Sequence, residues 1–382
     1  MHLTMAFELV FWGSILFVFY AYAGYPLILM ALAVVRNRPV QRGNITPSVS
    51  FIITAYNEER RIGAKLDNSL QLDYPRERLE IVVASDCSTD GTDDIVRAHA
   101  ALGIRLIRAS ERKGKEAAQH LAVSQTSGEI LVFSDTATTL HPNAITNIVK
   151  SFNDPTVGCV SSVDRFVDAE GKVSGEGAYV RYEMLLRTLE TKVNTLVGLS
   201  GSFFAAHRKV CAPWAPDLQS DFNTLLNSMR QGLRGVSDPD SIGYYKNLAD
   251  ETKEYQRKVR TVLRGIAVLM RSLSMLNPLK YGLFAWQLFS HKLCRWLVPF
   301  AMIAILISNT VLAVESYAYC LLLTGQLVFY ALALFYRWFT WMSDKDVFRL
   351  PSFFVIVNLS ILDAWYRYFR GDRVLRWEPS KR

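Results

Sequence analysis

Residues 9–35 carry no formal charge, an unbroken run of 27 residues. At about 1.5 Å of helical rise per residue, such a run outreaches the roughly 30 Å hydrocarbon core of a bilayer. It predicts a membrane span. The run is too long for the apolar core of a signal peptide and no basic residue precedes it, so a cleaved leader is not expected. Arg36, Arg38 and Arg42 follow directly, whereas only His2 and Glu8 stand before it. The positive-inside bias then predicts an outside N-terminus and a cytosolic chain after Arg36.

Uncharged runs return at 296–314 and 316–336, separated by Glu315, and predict a helical hairpin through the membrane. A further apolar stretch, 351–369, is interrupted by Asn358, Asp363 and Arg367. A fourth crossing there would carry the basic tail 370–382 outside, against the charge bias, so a re-entrant or interfacial segment is the alternative. Half of the 382 residues are hydrophobic and only 20% are charged, which excludes a disordered or collagen-like chain. The five cysteines are scattered without metal-ligand spacing, which points to a reducing compartment. No basic-aromatic module accompanies the net charge of +8, so the excess is assigned to lipid and topology, with no nucleic acid as partner.

Between the apolar runs lies a polar segment, 41–270, that alternates β-rich runs with helical patterns. Strands are expected at Ser48–Thr54, Glu80–Ala84, Ile104–Ile107, Ile130–Ser134 and Val157–Ser161. Helices are expected at Glu58–Leu70, Thr92–Leu102, Lys115–Ser124 and Asn143–Phe152. Such alternation implies an α/β domain with a mostly parallel sheet and helices on both faces. In an open α/β sheet the ligand sits beyond the carboxyl ends of the strands. Those ends carry Thr54-Ala55-Tyr56-Asn57-Glu58-Glu59, Asp86–Thr92 and Asp135–Thr138. Each loop taken singly also reads as a turn or helix cap. Three acidic loops on one sheet edge repel one another unless a cation or a donor-rich ligand meets them, and their recurrence favours a ligand site.

The runs Ser50–Glu59, Asp86–Thr92, Gly114-Lys115 and Phe133-Ser134-Asp135 resemble those of family 2 glycosyltransferases. The similarity extends to a Gly-x-Gly-x-x-x-x-Tyr-Glu pattern at 175–183 and to Gly201–Arg208, and is strongest to the membrane-embedded branch of cellulose, chitin, hyaluronan and poly-N-acetylglucosamine synthases. The resemblance implies a GT-A nucleotide-diphospho-sugar fold and inverting sugar transfer at the cytosolic face of the inner membrane. The donor would be a nucleotide-sugar, a UDP-sugar by expectation. The acceptor would be a polysaccharide or a lipid-linked molecule, with membrane lipid and export or synthase subunits as further partners. Carried over by position, Ala55, Tyr56 and Glu58 would line the nucleoside pocket, Asp86 would meet the base or ribose, and Lys115 would approach the phosphates. Asp135 would hold Mg²⁺ or Mn²⁺ on the diphosphate. Asp221, in Ser220-Asp221-Phe222, would be the general base, the alternatives being an N-cap for Asn223–Arg230 and the rival Asp217. Arg257 and Arg260 would face the acceptor or diphosphate side, on an amphipathic helix whose arginine stripe continues through Arg264 and Arg271 to lipid.

Three positions depart from the family pattern. The second acid of Asp-x-Asp is Ala137, His120 stands where many relatives have Asn, and Thr261 replaces the tryptophan of Gln-x-x-Arg-Trp. Ala137 offers no side-chain oxygen, and Thr261 offers no aromatic face to a growing polymer. A non-catalytic nucleotide-sugar-binding subunit is therefore the alternative function. The expected organisation is an apolar N-terminal helix at 1–40, a sugar-transfer domain at 41–255, amphipathic interfacial helices at 256–295 and a C-terminal membrane region at 296–382.

Overall fold

The computed structural model describes residues 2–167, 178–246, 251–335 and 346–372. The chain divides into two units, one of residues 29–249 with 267–285 and 374–382, the other of residues 1–28, 250–266 and 286–373.

Among the described residues, the first unit is built on eight strands: β1 (Val49–Ala55), β2 (Leu79–Ser85), β3 (Ile104–Arg108), β4 (Ile130–Asp135), β5 (Thr139–Leu140), β6 (Val157–Val167), β7 (Phe203–His207) and β8 (Arg234–Lys246). They form one sheet in the order β3-β2-β1-β4-β7-β6-β8-β5. The β3-β2-β1-β4 half is wholly parallel, as the strand–helix alternation predicts. The other half is mixed: β7 runs antiparallel to both β4 and β6, β8 pairs parallel to β6, and β5 closes the edge antiparallel to β8. The sheet is thus less uniformly parallel than expected, because Phe203–His207 is inserted antiparallel between β4 and β6.

β1 is central and buried on both faces, which is why its sequence reads as a continuous apolar run. Phe51 and Ile53 join Ile62 and Leu66 of the Glu59–Leu70 helix on one face. Ile52 joins Ala118 and Ala122 of the Lys115–Ser124 helix on the other. Burying each of the larger side chains among these, Phe51, Ile52, Ile53, Ile62 and Leu66, contributes about 1.5–3 kcal/mol. The register sets Ala55 opposite Ser85 and Thr54 opposite Asp135, so β1, β2 and β4 end side by side.

The apolar helices fall largely in the second unit. Residues His2–Phe19 and Tyr25–Val35 flank a single π-turn at Tyr20–Gly24. Among the described residues, three helices are long and apolar enough to cross a membrane: Leu3–Val35, Leu283–Leu312 and Tyr317–Leu334. The second of these begins well before the uncharged run at 296–314. Gln287, His291 and Arg295, spaced four apart, are consequently buried within it rather than displayed on a separate interfacial helix. Its own π-turn, Phe289–Cys294, meets the first one, where Tyr20 shares a 2.6 Å hydroxyl hydrogen bond with Ser290. The stretch at 351–369 belongs to a helix, Asp346–Arg370, that is not among the three apolar spans; it buries Ser352, Asn358 and Ser360.

Candidate active site

Asp86 follows β2 and is almost fully buried. Its carboxylate accepts the backbone N–H groups of Lys113 and Gly114, each at 2.9 Å. Burial pushes the Asp86 carboxyl above its ordinary pKa, against the pull of those two hydrogen bonds and of Arg112. Gly114 has φ +104°, a backbone conformation that favours glycine, and it launches the Lys115–Ser124 helix. One helical turn on, Gln119 Nε2 donates to Thr54 Oγ1 at 3.1 Å and ties that helix to β1. Asp86 thereby aims Lys115.

Lys115 Nζ sits 2.5 Å from Asp135 Oδ1 and donates to the Gly201 carbonyl at 2.9 Å. Asp135 ends β4, and its N–H donates to the Ser202 carbonyl at 3.0 Å. The Ser200–Ser202 loop is held in turn by Asp164, whose carboxylate accepts from Ser200 Oγ at 2.5 Å and Ser202 Oγ at 2.6 Å. Asp221 closes the group. A Cβ built on Gly201 would stand 2.6 Å from Asp221 Oδ2, so only glycine lets the carboxylate come this close to the loop. Asp221 lies in the first turn of the Ser220–Arg230 helix, accepting from Phe222 N at 2.7 Å and Gln219 Nε2 at 3.1 Å. Asp86, Lys115, Asp135 and Asp221, from four separate stretches of sequence, are brought into one connected cluster.

The loops after β1 and β2 interlock beside it. Asn57 and Cys87 both adopt left-handed φ, +51° and +58°, which is uncommon for residues other than glycine and concentrates at functional sites. Asn57 Oδ1 accepts from Thr89 N at 2.8 Å, and Glu58 N donates to Thr92 Oγ1 at 2.8 Å. Tyr56 is partly exposed, with the Arg112 guanidinium 3.8 Å over its ring. Ala55 points into the core, so it contributes here through its main chain, where its carbonyl accepts from Asp86 N. Glu58 is buried and paired with Arg61 at 2.6 Å; burial pushes its carboxyl up to about 7 despite that partner.

The other expected residues stand on further elements. Arg257 and Arg260 belong to the second unit, on the Glu251–Met270 helix, where Arg257 is held by Glu254 at 2.8 Å. Asp217 is exposed and pairs with Arg271. Arg42 bridges the buried Asp238 at 3.1 Å, which marks Asp238 as a structural group on β8. The glycines at 175 and 177 lie outside the described residues.

Two charged residues escape a reading of the sequence. Lys65 is fully buried and donates to Ser134 Oγ at 2.8 Å and to the Thr138 carbonyl at 2.5 Å, beneath the Asp135 turn. Burial lowers its pKa to about 7. Asp164 lies beyond the expected end of β6, and the serines flanking Gly201 are the one sequence signal for its role. A divalent cation at Asp135 would have one protein carboxylate, since Ala137 supplies none and the described residues contain no group of three His, Cys, Asp or Glu suited to a metal. That donor set fits a hard cation that keeps most of its shell from phosphate oxygens and water, as Mg²⁺ commonly does.

Residues 50–212 match the profile of the family described as Glycosyl transferase family 2. Beta-monoglucosyldiacylglycerol synthase of Nostoc sp. is 26% identical over 234 residues, covering 57% of this chain and 49% of that protein. Poly-beta-1,6-N-acetyl-D-glucosamine synthase of Staphylococcus aureus is 24% identical over 234 residues, covering 58% of this chain and 56% of its own length. The chain spans between about a third and just over half of the length of the curated relatives it matches. Among solved structures, the mannosyltransferase PcManGT from Pyrobaculum calidifontis, in complex with GDP-Man and Mn²⁺, superposes with a TM-score of 0.72 at 23% identity. The superposition covers 97% of this chain and 99% of that one, and establishes the GT-A-type fold.

Proposed function

We propose that this chain, whose residues 50–212 form a Glycosyl transferase family 2 domain, is a membrane-bound inverting glycosyltransferase. Its substrates are a nucleotide-diphosphate sugar, expected to be a UDP-sugar, and a polysaccharide or lipid-linked acceptor. Transfer takes place at the cytosolic face of the inner membrane. The observation that carries the reading is the convergence of Lys115, Asp135 and Asp221 on the Ser200–Ser202 loop, with Asp86 anchoring the turn before Lys115. The three apolar helices support attachment to a membrane. The lipid-acceptor synthase of Nostoc and the polymer synthase of S. aureus support both acceptor classes.

In this reading Asp221 accepts the proton of the acceptor hydroxyl as its oxygen attacks the anomeric carbon. The bond from that carbon to the diphosphate oxygen breaks on the opposite face, and the configuration inverts. Lys115 is placed to neutralise charge on the departing diphosphate, and Asp86 keeps Lys115 in position by anchoring the 113–114 turn. A divalent cation held by Asp135, Mg²⁺ or Mn²⁺, would supply further neutralisation of the diphosphate when bound; its presence in PcManGT supports the assignment. Ala55, Tyr56 and Glu58 would border the nucleoside, and Arg257 and Arg260 would serve the acceptor or diphosphate side. Residues 41–255 form the transferase portion of the proposed organisation.

The test is a donor screen with the purified chain in detergent, using UDP-sugars and GDP-mannose with Mg²⁺ or Mn²⁺, read by nucleotide release and product mass. A transferase releases nucleotide and yields an acceptor heavier by one or more sugar residues. The alternative, a nucleotide-sugar-binding subunit of a polysaccharide synthase, for which Ala137 is the supporting feature, binds a donor and releases no nucleotide above background.

A further inference from the structure

The pairing of β6 with β7 runs from Cys159 opposite Ala206 to Ser161 opposite Phe204. Beyond that point residues 200–202 leave the ladder, and Gly201 meets the Lys115 ammonium and the Asp221 carboxylate. Side chains of β6 then take over the hydrogen bonding. Ser161 Oγ accepts the backbone N–H of Ser200 at 2.8 Å, and Ser162 Oγ donates to the Phe203 carbonyl at 2.6 Å. Asp164 accepts from Ser200 Oγ at 2.5 Å and from Ser202 Oγ at 2.6 Å, one oxygen for each, so a single carboxylate straddles the glycine. Burial pushes the Asp164 carboxyl up, and Arg187, which donates to Ser161 Oγ at 2.9 Å, opposes that push.

The loop so held carries the contacts of the catalytic cluster. The Gly201 carbonyl accepts from Lys115, the Ser202 carbonyl accepts from Asp135 N, and the missing Cβ of Gly201 leaves room for Asp221. Among the described residues, the hydrogen bonds of the Asp164 side chain go to Ser162, Ser200 and Ser202 and to none of those three charged groups. A glycine has more backbone freedom to lose than any other residue, and it brings no side chain with which to anchor itself. The two flanking serines are therefore the anchors of the loop. A shift of this loop moves the oxygen that faces Lys115, the oxygen that faces Asp135 and the gap to Asp221 together. Misplacing reacting groups by about 1 Å can cost about 10²-fold in rate.

We propose, resting on the transferase reading above, that Asp164 is a positioning residue for sugar transfer, acting through Ser200 and Ser202 to set the spacing of Asp221 from Lys115 and Asp135. An ionised carboxylate receives both hydroxyls at once. Asparagine keeps the shape: its Oδ1 accepts one hydroxyl and its Nδ2 donates to the other, since a serine hydroxyl rotates to suit either role. Alanine keeps neither bond. A group that took up a proton or bound a sugar hydroxyl itself would depend on the carboxylate and not on the serines.

The full chain in detergent is compared with Asp164→Ala, Asp164→Asn, the pair Ser200→Ala with Ser202→Ala, and the triple variant that joins Asp164→Ala to both serine changes. Nucleotide release at saturating substrates, donor titration and hydrogen exchange of residues 199–204 are measured, with thermal melts to confirm folding. Asp164→Ala should lower the transfer rate about 10²-fold and donor affinity by less than about threefold. The serine pair should lose as much, and the triple variant no more than Asp164→Ala, because all three act through the same bonds. Asp164→Asn should recover about tenfold of the lost rate. Exchange at 199–204 should quicken in Asp164→Ala and in the serine pair. Wild-type turnover in folded Asp164→Ala would overturn the proposal. So would a serine pair with wild-type turnover while Asp164→Ala and Asp164→Asn are equally slow, since Asp164 would then act on substrate directly. Where Asp164→Ala does not fold, the serine pair and Asp164→Asn decide. Unchanged exchange at 199–204 overturns the proposal whatever the turnover. A wild-type chain that binds donor and releases no nucleotide defeats the transferase reading, and the role of Asp164 in transfer with it, while the exchange data still report the hold on the loop.

Discussion

Two lysines approach the same turn and live under opposite electrostatic conditions. Lys115, on the donor-cleft side, has a carboxylate at 2.5 Å and a carbonyl at 2.9 Å. Lys65, on a helix packed against the other face of the sheet, is buried against a hydroxyl and a carbonyl, and burial lowers its pKa to about 7 against the pull of the Asp135 carboxylate. The difference teaches what each can do. A cation paired with a carboxylate beside an open cleft can exchange that partner for a diphosphate, whereas a desolvated cation whose hydrogen bonds go to neutral oxygens supports the turn from beneath.

The sharpest way to break this comparison is to remove each ammonium. Lys115→Ala should lower the transfer rate by at least about 10²–10³-fold, the scale of a lost preorganised charge contact. Lys65→Met should lower it by less than about tenfold. Initial rates of nucleotide release on the two variants decide the matter, and equal losses would erase the distinction. Gly201→Ala comes next. The added methyl would meet Asp221 Oδ2 at 2.6 Å, so it should destabilise the fold by about 1–3 kcal/mol and reduce turnover more than donor affinity. Thermal melts alongside donor titration check both halves.

A pH series sharpens the contrast further. Lys65 binds its proton less readily in the folded chain than in the unfolded one, so stability should rise with pH between about 7 and 10.5, and Lys65→Met should remove that slope. Glu58 has the opposite sign. Its carboxyl is raised to about 7 by burial, so the folded state holds the extra proton and stability should fall as pH rises from about 4.5 to 7. Glu58→Gln should flatten that region by about 1–3 kcal/mol, measured by denaturant unfolding across the series. This is the smallest effect, because the Arg61 pairing opposes the burial of Glu58 in wild type.

The legibility of the molecule follows the same division. β1, β2, β3 and β4 and most of their helices appear within a residue or two of where the sequence places them, the Thr92 helix ending at Ala98 before a separate turn at Ala100–Leu102, since doubly buried strands read as apolar runs and the Lys115–Ser124 helix follows a glycine. The mixed half was harder to read. β8 contains Asp238-Pro239-Asp240, which looks like a turn, yet Pro239 is accommodated where the β6–β8 register shifts. Phe203–His207 is a short apolar run whose antiparallel return no local pattern announces. Within the site, acidic residues at strand ends were visible because strand ends are where α/β sheets bind ligands. Lys65 was not, since a lysine on a helical pattern ordinarily faces water. Asp164 was hidden because β6 runs six residues past its expected end.

The central claim is that Asp221 is the group that accepts the acceptor's proton. Asp221→Asn, assayed for donor binding and for nucleotide release under saturating acceptor, tests it most directly. The account predicts donor affinity within about threefold of wild type and a transfer rate reduced by about 10²–10⁴-fold. Wild-type turnover in a variant that still binds donor would contradict it.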